Sequence, residues 1–164
     1  MTRVVYRLGD DVSTDVIYPG RYMATVLPSE TPLYAFADDA EFNRRLNAKE
    51  IVPGSIVVGG KNFGCGSSRE QAASCLKGYE LTVIARGFAR IFLQNAINLG
   101  LRVITCPTIE AAVGDELELS GREVLNRTTA TRYPTVPLPT SRQAIIDAGG
   151  LVPYTRQRLI AGAT

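Results

Sequence analysis

The segment Gly64-Cys65-Gly66-Ser67-Ser68-Arg69-Glu70 sets two hydroxyls and a guanidinium directly behind a run of glycines. Gly59, Gly60, Gly64 and Gly66 fill four of the eight positions from 59 to 66. Glycine lets a backbone approach a ligand closely and take positive φ, at an entropic cost that a plain connector need not bear. A glycine-rich loop leading into a helix N-terminus, Gly64 and Gly66 within it, presents free N–H groups and a positive dipole end to an anion. Arg69 adds a fork suited to carboxylate or phosphate. The phosphate-loop spacings are not met, since no Gly-Lys-Ser/Thr closes the loop and no G-x-G-x-x-G occurs. A small anionic substrate fits better than a nucleotide. Ser67-Ser68-Arg69-Glu70 also has the form of a capping box, in which Ser67 accepts from the Glu70 N–H and the Glu70 carboxylate reaches back. Taken alone, that pattern is more often a plain helix start.

The rest of the composition limits what this segment can do unaided. The 164 residues include no histidine, so a Ser-His-Asp triad, a histidine base and a histidine metal ligand are excluded within the chain. Cys65, Cys75 and Cys106 form no C-x-x-C pair. They make neither a zinc site nor a disulfide framework, and their odd number fits a reducing compartment. Cys65 reads as a small residue filling a tight turn rather than a ligand, because one cysteine cannot hold an iron–sulfur cubane. If the chain takes part in demanding chemistry, its metal and most of its acid–base groups must come from another chain. The net charge of +2 is too small for a nucleic-acid footprint, and the arginines are spread rather than clustered. No apolar run is long enough for a bilayer span and no signal peptide is recognised, so a cytoplasmic location is expected.

The elements that must position the loop follow from pattern. Val4-Val5-Tyr6-Arg7-Leu8 reads as a strand, Gly9 to Asp15 as a turn, and Val16-Ile17-Tyr18 as an apolar run stopped by Pro19-Gly20. Residues 21–32 lack a period and read as a long loop, which in a compact domain is usually functional or mobile. Residues 34–46 look helical, with apolar Phe36, Phe42 and Leu46 among polar residues. Then come a β-branched strand at 55–58, the glycine loop, a helix over 67–79 and a strand at 81–85 apolar enough to be buried on both faces. A helix over 88–98, with Phe88, Ile91, Phe92 and Ala96 as its face, is ended by Gly100, and a strand over 101–104 follows. This alternation argues for parallel strands with helices packed on them. Beyond Pro107 the reading is a hairpin over 116–125, an edge strand at best over 133–139, a helix over 141–148 and a fraying tail. With no repeat or linker in view, residues 1–164 read as one α/β domain.

Three stretches carry a resemblance. Gly60-Lys61-Asn62-Phe63-Gly64-Cys65-Gly66-Ser67-Ser68-Arg69-Glu70 resembles the loop of the aconitase superfamily's swivelling domain. Phe88-Ala89-Arg90-Ile91-Phe92 and Asn95-Ala96-Ile97-Asn98 resemble the helix that follows there, and Gly9-Asp10-Asp11-Val12-Ser13-Thr14-Asp15-Val16-Ile17 its N-terminal strand and turn. The free-standing length is similar to that of the isopropylmalate isomerase type of small subunit. The resemblance implies a swivelling β/β/α domain that closes over a large partner subunit, in a heterodimer or heterotetramer. It implies that the [4Fe–4S] cluster sits on that partner and takes the substrate hydroxyl as a Lewis acid, with none bound by this chain. It implies that Ser67 is the base removing a proton α to a carboxylate, with Ser68 and Arg69 holding carboxylate. The substrate expected first is 2-isopropylmalate, converted to 3-isopropylmalate in leucine biosynthesis, followed by homoaconitate, dimethylmalate and citramalate-type acids.

Some residues depart from the family pattern. The loop expected to meet the variable part of the substrate reads Arg21-Tyr22-Met23-Ala24-Thr25, so Arg21, Ala24 and Thr25 are candidate substrate contacts. Ala24 stands where many relatives carry arginine. Gln71 replaces a histidine, which removes a titrating group, and Gly87 replaces a serine. Arg86 and Arg90 could join an anion site, though packing or surface roles are the simpler reading. A rival from another class is a non-catalytic anion- or RNA-binding module, against which stands the lack of aromatic–basic interleaving.

Overall fold

A computed structural model describes residues 2–162. Among them, seven strands form one mixed sheet in the order β4-β3-β2-β1-β5-β6-β7. The parallel half is β1 (Thr2–Arg7), β2 (Ile56–Gly59), β3 (Thr82–Ala85) and β4 (Arg102–Thr105). The antiparallel half is β5 (Glu116–Leu119), β6 (Glu123–Asn126) and β7 (Thr131–Pro134), joined to the other through β1 and β5. Just past β7, the Val136 N–H donates to the Thr105 carbonyl at 2.8 Å, so the two edges of the sheet curl far enough to touch.

Period-two alternation sorts the parallel strands between two cores. Val57, Val83 and Val103 face the helices α3 (Glu70–Gly78) and α4 (Arg90–Leu99), packing with Leu76, Phe92 and Ile97. Val4, Ile56, Val58 and Ile84 face the other way, against Leu117, Val124, Cys106 and Ile109. Strands β2 and β3 are therefore buried throughout, as the apolar run at 81–85 predicts. The β2–α3–β3–α4–β4 order and the 116–125 hairpin also match expectation. Gly100 closes α4 in the left-handed region with φ 71°.

Three expectations are corrected, and one apolar run gains a structure. The helix expected over 34–46 begins only at Ala40, as α2 (Ala40–Asn47), because the Asp39 side chain caps it by accepting from the Phe42 N–H at 3.0 Å. Phe36 instead has φ 52°, outside a right-handed helix, and buries its ring beside Tyr6 and Phe42. Val16 and Ile17 sit in a single helical turn, α1 (Thr14–Ile17), capped by Ser13. Within α4, Ile97 rather than Ile91 joins the buried face, and Ile91 is exposed. After α5 (Thr140–Asp147) the tail expected to fray forms α6 (Leu151–Gly162), which buries none of its residues.

Candidate functional site

Two loops zipped together by backbone bonds build the site. The turn after β1 and the glycine loop after β2 exchange hydrogen bonds: Gly60 N–H to Gly9 O at 2.9 Å, Asp11 N–H to Lys61 O at 2.9 Å, Gly64 N–H to Val12 O at 2.7 Å and Thr14 N–H to Cys65 O at 2.8 Å. The Asp10 carboxylate adds a bond from the Lys61 N–H at 2.7 Å. Gly64 has φ 82°, and a Cβ there would lie 2.2 Å from the Phe92 ring. That glycine is required for close packing of loop on helix, not for a ligand. Gly66, with φ 92°, is different: it is exposed, and a Cβ there would come no closer than 3.7 Å to Ser13 and Thr14.

The chain leaves this loop through Ser67, Ser68 and Arg69 into α3. The capping box does not form. Arg69 takes the cap position with extended backbone and makes no side-chain cap bond, and Ser67 lies two residues earlier. Its Oγ is engaged instead by Thr14 Oγ1 at 3.0 Å, a tertiary contact that outcompetes the local one. The first N–H groups of α3, which have no partner within the helix, therefore face the loop without a side-chain cap. The Ser68 carbonyl is held by the Asn95 side-chain amide at 3.3 Å, which fixes the loop against α4.

Arg69 is mostly enclosed, with 15% of its side chain exposed, and its guanidinium donates to the Asp15 carboxylate. Asp15 also accepts from the Gly20 N–H at 3.1 Å. The hydrogen bond from Arg69 is the main reason that the Asp15 carboxyl lies below its ordinary value. Arg69 Nε is shielded from solvent and has no acceptor, so Asp15 alone does not satisfy this guanidinium.

Ser67, Ser68, Arg69 and Gln71 open onto one pocket of about 490 Å³, which Met23, Val26 and Pro28 also line. Its lining combines two serines, Arg69 and Glu70 at the start of α3 with the apolar Met23, Val26, Pro28 and Leu99. Such a space can seat a carboxylate with an alkyl group attached. The other sequence candidates fall outside it. Arg21 is exposed, donates to Asp38 at 2.6 Å and lies over the Tyr22 ring at 4.7 Å. Ala24 is exposed, and the Thr25 backbone bonds within its own loop, its N–H to the Tyr22 carbonyl at 2.9 Å and its carbonyl to the Tyr18 hydroxyl at 3.4 Å. Arg86 turns away to the Ile109 carbonyl at 3.3 Å and to Glu110. Gln71 donates to the Met23 carbonyl at 3.3 Å and so fastens that loop to α3.

Sequence reasoning missed Thr14, Asp15, Met23 and Val26. The first two lie in a stretch read only as a turn, although a hydroxyl and a carboxylate side by side at a helix start were a usable signal. As for metal, no group of three or more cysteine, aspartate or glutamate side chains among the described residues could hold one. Cys75 packs in the helix-side core and Cys106 in the opposite core, and burial raises both thiols above their ordinary values.

Comparison with known proteins bears on this arrangement. Residues 18–108 match the family described as the aconitase C-terminal domain. The chain is 46% identical to the 3-isopropylmalate dehydratase small subunit of Methanosarcina mazei over 156 residues, 93% of this chain and 94% of the relative. It is 44% identical over 161 residues to the isopropylmalate/citramalate isomerase small subunit of Methanocaldococcus jannaschii, covering 94% and 93% of the two chains. The crystal structure of 3-isopropylmalate dehydratase from the latter organism superposes with a TM-score of 0.87 at 37% identity, covering 98% of this chain and 96% of that one.

Proposed function

Because the chain belongs to the aconitase C-terminal domain family and is a small subunit of the isopropylmalate/citramalate isomerase type of dehydratase, we propose that its glycine loop supplies the base and the carboxylate clamp of that reaction. The substrate in this reading is 2-isopropylmalate, dehydrated and rehydrated to 3-isopropylmalate. Citramalate is the second candidate, on the strength of the double name of the Methanocaldococcus jannaschii relative.

The observation that carries the proposal is that Ser67, Ser68 and Arg69 line one pocket at the uncapped start of α3. The substrate carboxylate takes Arg69, whose fork is built for it, in exchange for part of what Asp15 now provides. Ser67 Oγ removes the proton from the carbon beside that carboxylate. A serine is a poor base in water. The α3 dipole and the Arg69 charge lower the cost of its ionised form, and more so once a partner surface excludes solvent. Ser68 stands next to Arg69 and donates to the same carboxylate.

No group of cysteine, aspartate or glutamate side chains among the described residues suits a metal ion, and in this reading a [4Fe–4S] cluster on the large subunit would supply Lewis-acid activation of the leaving hydroxyl. Turnover in this proposal requires that subunit. A cytoplasmic setting accords with three free cysteines, and no helix of the described residues is long and apolar enough to cross a membrane.

The test is co-expression with the large subunit, anaerobic reconstitution with iron and sulfide, and absorbance of the unsaturated acid. Ser67→Ala should abolish turnover while the complex still assembles. Full activity in an assembled Ser67→Ala complex would reject the assignment.

A further inference from the structure

We propose that Thr14 is the residue that sets Ser67 for proton transfer, through one hydroxyl shared between two oxygens of Ser67. The proposal rests on the reading of Ser67 as the base. Thr14 opens α1 and is only 1% exposed, deeper than the serine it touches. Its backbone is pinned by the bond from its N–H to the Cys65 carbonyl at 2.8 Å. From there its Oγ1 lies 3.0 Å from Ser67 Oγ and 3.3 Å from the Ser67 carbonyl oxygen.

A threonine hydroxyl has one proton to give and lone pairs to receive. With Ser67 neutral, the Thr14 proton goes to the Ser67 carbonyl, and the Ser67 hydroxyl donates back to Thr14 Oγ1. The serine proton is thus turned into the protein, and its lone pairs face the pocket. When that proton leaves to water before the pocket closes, the Thr14 hydroxyl rotates and donates to the Ser67 alkoxide, with no movement of heavy atoms. A hydrogen bond to an oxyanion is the stronger kind. The alkoxide then takes the substrate proton: an O–H bond forms as a C–H bond breaks, and the electron pair stays on the carbon and its carboxylate. Thr14 swings back to the carbonyl. In the rehydration half the proton returns to carbon by the reverse path. The charged side chains closest to the pair in the chain are Asp15, which follows Thr14 and is paired with Arg69, and Glu70 at the start of α3.

The experiment uses the reconstituted complex with the large subunit and compares Thr14→Val, Thr14→Ser and Ser67→Ala. Valine keeps the shape and removes the hydroxyl. It should lower kcat about 100- to 1,000-fold with KM within about 3-fold, as for the loss of one oxyanion donor. The isotope effect with substrate deuterated at the carbon that loses its proton should rise. Thr14→Ser should restore most of the rate, because it keeps only the hydroxyl. If Thr14→Val does not assemble, Thr14→Ala against Thr14→Ser carries the same comparison. A valine variant within about 3-fold of wild-type kcat, or a slow one with an unchanged isotope effect that serine does not rescue, would overturn the proposal while leaving Ser67 as the base. An active Ser67→Ala complex would instead remove the base assignment, and the role of Thr14 with it.

Discussion

The Asp15 carboxylate accepts from both the Arg69 guanidinium and the Gly20 N–H, so one side chain ties the start of α3 to the loop that follows α1. Its folded value is lowered, chiefly by the bond from Arg69. The contribution of such a group is complete above the unfolded value of about 3.9 and is lost as pH falls through the lowered folded one. Asp39, lowered by its bond from Tyr6, behaves with the same sign. With no histidine in the sequence, nothing in the ordinary imidazole range adds a transition. The thermal midpoint of the chain should therefore be flat between about pH 5.5 and 7 and fall only below about pH 4. A drop of several degrees between pH 7 and 5.5, measured by circular dichroism, would contradict this.

Arg69→Lys tests the fork rather than the charge. Lysine keeps the cation but offers a point charge in place of a planar pair of donors. A hydrogen bond to a charged partner contributes about 1.5–3 kcal/mol, so KM in the reconstituted complex should rise roughly 10- to 100-fold. Assembly should be unaffected, because Arg69 bonds within this chain, to Asp15. An unchanged KM would mean that the substrate carboxylate binds elsewhere.

Gly64→Ala should be strongly destabilising. The position has φ 82°, and the added carbon would meet the Phe92 ring at 2.2 Å, so backbone strain and overpacking combine. Together these cost about 2–5 kcal/mol. Gly121→Ala is the control, since a Cβ there meets nothing within 4 Å, and it should change stability by less than about 0.5 kcal/mol. Urea unfolding of the two variants gives the comparison, and equal midpoints would remove the packing argument for Gly64.

What could be read from the sequence was what local chemistry decides. Strand β3 announces burial on both faces by its apolar run, and Gly100 announces the end of α4. The serines and arginine of the loop were visible because glycine, hydroxyl and guanidinium stand together in the chain. Contacts between distant segments were not visible. Ser67-Ser68-Arg69-Glu70 satisfies the capping pattern in sequence, yet Thr14, 53 residues away, holds the Ser67 hydroxyl. Arg21 reads as an anion binder until Asp38 is found beside it. Nothing local tells Asp115 and Asn126 that they will meet as a buried pair at 2.7 Å. Nor does it tell Val136 that it will close the sheet against Thr105.

Substrate choice gives the last prediction, and the structure moves it along the loop. Ala24 is the position to which the family resemblance directs attention, but it is exposed, while Met23 and Val26 line the same pocket as Ser67. The alkyl group of a 2-alkylmalate bound through Arg69 would lie against those two side chains. Burying or exposing a few methylenes there changes selectivity by about 1–3 kcal/mol, or 10- to 200-fold. Met23→Ala should therefore lower the ratio of kcat/KM for 2-isopropylmalate over citramalate by about 10-fold or more, since the larger substituent loses more contact. Ala24→Arg should leave that ratio within about 3-fold, because the new guanidinium has solvent to occupy and no carboxylate in the pocket to reach. The two variants, assayed side by side in the reconstituted complex, decide between the positions. A large effect at Ala24 with none at Met23 would show that the loop is rearranged when the large subunit closes over it, and that the wall seen in the lone chain is not the one the substrate meets.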